Sequence, residues 1–359
     1  MNHQKKLYKK NNNQYLFLFL FFFFPSIIYP NTNKSEFNQT ILVTGGNGYI
    51  GSCTAYLLMQ SGYNVIVLDK LLHKKELSYP WPIFIEADFA DEKILHEIFS
   101  HYPITCVMHF AAFAEVETSI KKPRDYYENN VIKTLILLNS MLDHNIKNFI
   151  FSSSCSTYGN PIKLPIDETH PTNPINPYGK TKMMIELALE DYNKAYGLKY
   201  ISLRYFNAAG AIPEANLREY HEPETHIIPI LLNAIKNNKT FTIFGSDYNS
   251  PDGTCVRDFL HVKDIAQAHI QALQYLETNE TSNIFNLGTG NGYSIKQMIQ
   301  AAEKITGQQA NLVTGQRRPG DPASLIANAT KASTQLGWIP NNSDLENILT
   351  SAWNLDYQA

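Results

Sequence analysis

The 359-residue chain has no surplus of basic charge: 30 lysines and arginines stand against 33 aspartates and glutamates, a formal net charge of −3. A surface built for nucleic acid needs a basic excess, so no nucleic-acid partner is expected. Cysteine is scarce. The 4 thiols, Cys53, Cys106, Cys155 and Cys255, are too scattered for a zinc pattern and fall in apolar or motif positions. They read as reduced, buried thiols, and no metal is expected. His109 reads as a residue packed at a strand end, and His226 as a substrate-loop contact rather than a metal ligand. Methionine is missing between Met1 and Met59, so a shorter form of the chain would need an alternative start codon.

Residues 1–38 differ in composition from the rest. Lys5, Lys6, Lys9 and Lys10 precede an apolar run from Leu16 to Phe24, which Pro25 and Ser26 interrupt before Ile27 and Ile28. The run is signal-like in length, yet Tyr29-Pro30-Asn31 lacks a small-residue cleavage pattern. The preferred reading is a non-native extension from an upstream start, ahead of a cytoplasmic-side membrane anchor and, last, secretion. A cytoplasmic location follows, with membrane contact only if the hydrophobic segment is retained.

Ile41-Leu-Val-Thr-Gly-Gly-Asn-Gly-Tyr-Ile-Gly51 is a short apolar strand that runs into a glycine turn and then an apolar helix. Gly45, Gly48 and Gly51 give G-x-x-G-x-x-G, and Gly46, Gly48 and Gly51 also satisfy G-x-G-x-x-G. Such a turn lets a pyrophosphate approach a helix N-terminus closely. The next strand, Asn64–Asp69, ends in a carboxylate placed to accept from an adenosine ribose, which favours NAD over NADP. Lys70, Lys74 and Lys75 read as solvated loop charges. Strand-like runs at 82–86, 105–110, 148–152 and 200–204 alternate with helical stretches at 91–100, 124–143 and 179–196, so the fold class is α/β, a doubly wound parallel sheet of Rossmann type. Ligands gather at the carboxyl ends of such strands, where Gly45, Asp69, Asp88, Ala111, Ser154 and Asn207 fall.

Tyr178-Gly-Lys-Thr-Lys182 names a reaction type. Two residues four apart share a helical face. A phenol with a reference pKa of about 10 beside an ammonium can serve as a base near neutral pH, because an opposite charge favours phenolate. Phe151-Ser-Ser-Ser154 ends a strand upstream and supplies a hydroxyl.

These motifs, with His109-Phe-Ala-Ala112, Tyr126-Tyr-Glu-Asn-Asn130, Leu203-Arg-Tyr-Phe-Asn207, Asp252 to His261 and Asn286-Leu-Gly-Thr-Gly290, resemble the UDP-glucose (UDP-galactose) 4-epimerases of the extended short-chain dehydrogenase/reductase superfamily, from about Ile41 to the C-terminus. The resemblance implies Ser154, Tyr178 and Lys182 as the catalytic group. It places Gly45, Gly48, Tyr49, Ile50, Gly51, Asp69, Asp88, Phe89, Phe110, Ala111, Ala112, Asn129, Ser152 and Tyr205 at the cofactor, with Tyr178 and Lys182. The UDP-sugar would meet Ser154, Tyr178, Asn207, His226, Ile227, Phe244, Arg257, Phe259, Arg318, Asp321 and Leu325. A homodimer is implied as well.

Ala114 stands where several relatives carry a lysine, and Glu117-Thr118 replaces the usual Gly-Glu before Ser119. The Thr-Asp-Glu group of sugar-nucleotide dehydratases is absent, which argues against elimination. UDP-glucuronate and pentose 4-epimerases stay open, as do a non-catalytic NAD-sensing module and an ordinary dehydrogenase. Leu325 aligns where narrow-specificity relatives carry tyrosine, so N-acetylated sugars are expected to fit. The domain reading is an NAD-binding part at 39–207, with 261–290 returning to it, and a smaller interleaved α/β substrate part at 208–260 and 291–359.

Overall fold

Apolar, β-branched runs bounded by Gly, Asp and Ser become strands, and the longer amphipathic stretches between them become helices. In the computed structural model the described residues are 39–72, 78–279, 281–318 and 322–356. Residues 1–38, Lys74, Lys75 and Asp321 lie outside them. The strands are β1 (Thr40–Thr44), β2 (Asn64–Asp69), β3 (Phe84–Glu86), β4 (Ile104–His109), β5 (Asn148–Ser154), β6 (Lys199–Tyr205), β7 (Asn207–Ala209), β8 (Thr240–Phe244), β9 (Val256–Arg257), β10 (Phe259–His261), β11 (Asn283–Leu287), β12 (Tyr293–Ser294), β13 (Asn311–Gly315) and β14 (Ser324–Leu325). The helices are α1 (Tyr49–Gln60), α2 (Glu92–His101), α3 (Val116–Lys121), α4 (Pro123–Tyr127), α5 (Lys133–Asp143), α6 (Pro177–Tyr196), α7 (Ile227–Lys236), α8 (Val262–Asn279), α9 (Ile295–Thr306), α10 (Thr330–Gln335) and α11 (Leu345–Asp356).

Seven strands form one parallel sheet in the order β11-β6-β5-β4-β1-β2-β3. The order reverses direction between β1 and β4, and the crevice there is where doubly wound sheets bind ligands. Ile41, Val43, Val67, Cys106, Met108 and Ile201 fill the core on one face of the sheet, and Leu42, Ile66, Leu68, Val107 and Phe149 fill it on the other. This near-continuous apolar content is what a strand buried on both faces requires. A separate apolar cluster joins α7, β8, α9 and α11 through residues such as Leu231, Phe241, Met298 and Leu349. Short two- and three-stranded sheets lie beside it: β10 with β7, β12-β9-β14, and β13 with β8.

The stretch read as one helix over 124–143 is broken. It consists of α4, a π-turn at Glu128–Ile132, and α5. The wider turn puts both Asn129 and Asn130 inside, and π-turns are frequent at functional sites. Asn130 Nδ2 donates to the Phe113 carbonyl (2.9 Å) and to Thr181 Oγ1 (3.2 Å), which joins this helix to α6.

Among the described residues no helix is long and apolar enough to cross a membrane.

Candidate active site

The glycine turn is shaped by close approach. Gly45 has φ +70°, and a Cβ there would meet the Ala111 backbone nitrogen at 2.5 Å. A Cβ on Gly51 would strike the Gly45 carbonyl oxygen, so α1 can start this near the loop only without side chains. The Asp69 carboxylate at the end of β2 accepts from the backbone N–H of Asn47 (3.0 Å) and of Leu71 (2.9 Å). It thereby fixes the turn while facing the crevice. The crevice wall includes Gly45, Gly48, Tyr49, Asp69, Phe89, Phe110, Ala111, Ala112 and Asn129.

Asp88 sits nearby. Lys133 Nζ is 2.5 Å from its Oδ2 and Lys70 Nζ 3.2 Å. Burial pushes this carboxyl up, but Lys133, the Ala90 N–H and Lys70 outweigh it and hold the group below its ordinary range. Lys70 is therefore not the solvated loop charge expected from sequence. It lines the crevice, pairs with Asp88 and lies 6.0 Å from the centre of the Phe113 ring.

The catalytic candidates come from the carboxyl end of β5 and the first turns of α6. Asn176 caps α6, its Oδ1 accepting from the Gly179 N–H at 2.8 Å, and Pro177 occupies the first turn. The helix thus starts where Tyr178 and Lys182 stack one turn apart. Tyr178 interacts with the Ser154 hydroxyl. Lys182 Nζ is 5.7 Å from the Tyr178 ring centre, and it donates to the Ser152 carbonyl at 2.6 Å.

Burial dominates both groups. It raises the Tyr178 phenol to about 12, with Ser154 pulling the other way, and lowers the Lys182 ammonium to about 7 against the opposing charge of Glu186. This corrects the expectation that the lysine alone brings the phenol near neutrality, because desolvation penalises both charged forms.

A buried polar network lies behind this group. Ser153 Oγ donates to Glu186 Oε1 at 2.6 Å, and Arg204 Nε and Nη2 pair with the same carboxylate at 2.8 and 2.5 Å. Arg204 Nη1 bonds the Tyr158 hydroxyl, which in turn donates to Asn286. β5, β6 and β11 are thereby tied together beneath Ser154. Ser152 Oγ and the Tyr205 hydroxyl are hydrogen-bonded to each other in the interior. The Ile50 side chain is partly buried and packs against the core. His109 is held between Thr44 (2.6 Å) and Thr134 (3.0 Å), and burial lowers it to about 3, which is the behaviour of a packing residue. All four thiols are buried, and none is in a disulfide among the described residues.

At the substrate end, Asn207 Oδ1 is buried without a hydrogen-bond partner. An orphaned acceptor of this kind costs about 1–3 kcal/mol, which a ligand donor relieves. Arg257 Nη2 donates to the Pro322 carbonyl at 2.9 Å, and Leu325 lies in register with Arg257 across the β14–β9 pair. Leu325 packs against the cluster containing Cys155, next in sequence to Ser154. The Arg318 guanidinium stacks 4.3 Å over Phe244. His226 is the residue that opens α7, ahead of Ile227. Burial opposes its charge, but Glu219 and Glu224 prevail and raise it to about 10. Phe259 is a correction. Its ring is 2% exposed in the apolar cluster of α7 and α11, so its side chain offers no surface to a sugar.

Several crevice residues carried no sequence signal. Asn47 lies inside the glycine turn. Arg218, Tyr220 and His221 reach the crevice from a distant loop that follows the strap where Tyr49 Oη donates to the Gly210 carbonyl at 2.6 Å, across 161 residues.

The family model described as "NAD dependent epimerase/dehydratase family" matches residues 41–288. The UDP-glucose 4-epimerase of Halalkalibacterium halodurans is 47% identical over 315 residues, covering 88% of this chain and 94% of the relative. The crystal structure of the Brucella ovis UDP-glucose 4-epimerase in complex with NAD superposes with a TM-score of 0.85 at 43% identity, covering 88% of this chain and 98% of that one. The Bifidobacterium longum UDP-glucose 4-epimerase, solved with NAD+ and UDP, gives 0.83 at 36% identity over 88% of this chain and 98% of that one. The sheet order, the glycine turn and a match over most of the chain agree, and the chain belongs to the NAD dependent epimerase/dehydratase family.

Proposed function

We propose that the chain is a UDP-glucose 4-epimerase that interconverts UDP-galactose and UDP-glucose with a resident NAD. The observation that carries this reading is the Tyr178, Ser154 and Lys182 group at the β5–α6 corner beside a glycine-turn crevice, in a chain 47% identical to a UDP-glucose 4-epimerase. The C4 hydrogen of a hexose has no adjacent carbonyl, so direct proton abstraction is unfavourable and transient oxidation is the accessible route. NAD, when bound, takes and returns the C4 hydride, and its positively charged ring favours phenolate at Tyr178.

Tyr178 takes the 4-hydroxyl proton and returns it to the rotated 4-keto sugar, with Ser154 hydrogen-bonded to the same oxygen. Lys182 lies one turn along the helix from the phenol, its Nζ 5.7 Å from the ring centre. Asp69 holds the ribose end and Phe110–Ala112 the floor of the cofactor site. Asn207, Ile227, Arg257 and Arg318 hold the UDP, since arginine forks suit a diphosphate. The segments 208–260 and 291–359 supply this substrate part. Exposed Ile132, Met184 and Leu187 on neighbouring helices support a homodimer. NAD and nucleotide sugars place the reaction on the cytoplasmic side.

The purified protein is expected to convert UDP-galactose without added NAD, whereas an enzyme that releases reduced cofactor stalls after one turnover. With Leu325 beside the sugar, UDP-N-acetylgalactosamine is also converted. Leu325→Tyr lowers that reaction roughly tenfold or more while the glucose pair is retained. Equal loss of both activities, or none with the acetylated sugar in the parent, refutes the Leu325 assignment.

A further inference from the structure

The loop before α7 carries the same three-residue unit twice, Glu219-Tyr220-His221 and Glu224-Thr225-His226. In extended backbone, residues two apart point to one side. Each unit therefore presents a carboxylate and an imidazole together, and the bend at Glu222 and Pro223 turns the two units toward each other. One ligand-type atom from each of Glu219, His221, Glu224 and His226 lies within 4.8 Å of all the others.

Three of the spacings are close to the edges of a coordination shell. His221 Nδ1 is 3.5 Å from Glu219 Oε1 and 3.7 Å from Glu224 Oε2, and His226 Nδ1 is 3.4 Å from Glu224 Oε1. Tetrahedral metal bonds of about 2.0–2.2 Å give ligand-to-ligand edges of about 3.3–3.6 Å. A fourth edge, His226 Nδ1 to Glu219 Oε1, is 2.7 Å, a hydrogen-bond distance that opens on metal binding, and every pair lies within 4.8 Å. A second observation points the same way. His221 Nδ1 is withdrawn from solvent and makes no hydrogen bond, a cost that coordination removes. Glu224 is held in orientation by the backbone N–H groups of Thr225 (2.7 Å) and His226 (2.8 Å).

We propose that these four side chains bind one divalent transition-metal ion of the zinc class. Two imidazoles with two carboxylates suit such an ion better than calcium or magnesium, which favour oxygen-only shells. Four protein ligands close the shell, so the ion is structural. It clasps the loop whose Arg218, Tyr220 and His221 wall the crevice, and it takes no part in proton or hydride transfer. The competing account is a proton on His226 shared by both carboxylates, which draws the same residues together with no ion.

The test uses the full-length holoenzyme, stripped with a chelator, dialysed, and titrated with Zn²⁺ and separately with Co²⁺. The expected result is about one equivalent bound per chain, a Co²⁺ visible spectrum of mixed nitrogen and oxygen ligation, and a rise in Tm with Zn²⁺. His221→Ala and Glu219→Gln each weaken binding roughly tenfold or more and abolish the Tm rise. No zinc binding by the wild-type protein, or binding unchanged in both variants, overturns the proposal. If either variant fails to fold, the wild-type stoichiometry and Co²⁺ spectrum still decide. None of these readouts depends on epimerase turnover.

Discussion

Tyr178→Phe lowers epimerisation by about 10²–10⁴-fold while NAD remains bound. The phenol is the group at the β5–α6 corner able both to accept the 4-hydroxyl proton and to return it, and it interacts with the Ser154 hydroxyl. Phenylalanine keeps the shape and removes only the proton-carrying oxygen, so the cofactor crevice, whose wall is made by other residues, is left intact. Single-turnover and steady-state assays on the holoenzyme check this. Near-wild-type turnover in the variant removes Tyr178 from the role assigned to it.

Lys182→Met is expected to lower turnover by orders of magnitude and at the same time to make the protein more stable. Lys182 is 3% exposed, and burial lowers its pKa from 10.5 to about 7. At pH below 7 both the folded and unfolded chains carry the proton, and the folded state bears the full cost of a buried ammonium, on the order of a few kcal/mol. Between pH 7 and 10.5 the unfolded chain binds the proton and the folded chain does not, so wild-type stability rises with pH through this window. Methionine fills the site without charge. The stability advantage of Lys182→Met should therefore be largest below pH 7 and shrink toward pH 10.5, as followed by urea unfolding at several pH values. A less stable variant at pH 6, or an advantage that grows with pH, contradicts the assignment of a strained catalytic lysine.

The parts of the site that lie close together in sequence were legible from it. The glycine turn reads directly because Gly45 and Gly51 sit where any Cβ would strike backbone. Tyr178 and Lys182 read directly because helical spacing places them on one face, and the Asn176-Pro177 start confirms where that helix begins. Burial was not legible. Spacing gave Lys182 as a cation that lowers the phenol, whereas enclosure by β5 and α6 moves both groups the other way. Chain reversals hid the rest. Lys70 reads as a loop charge until β3 and α5 bring Asp88 and Lys133 beside it. Phe259 follows Arg257 and Asp258 in a motif, but it opens β10, a different strand from the β9 that carries Arg257, and its ring packs in the second core. His226 reads from the sequence as a substrate-loop contact rather than a metal ligand. Only the bend at Glu222 and Pro223 brings His221, Glu219 and Glu224 around it.

The central claim is that C4 loses and regains its own hydrogen as hydride within one closed site. UDP-galactose carrying deuterium at C4, incubated in ordinary water with the purified protein and no added NAD, tests it most directly by NMR of the product. The account predicts UDP-glucose with the deuterium retained at C4 and no solvent hydrogen introduced there. Loss of the label to solvent during epimerisation would contradict it.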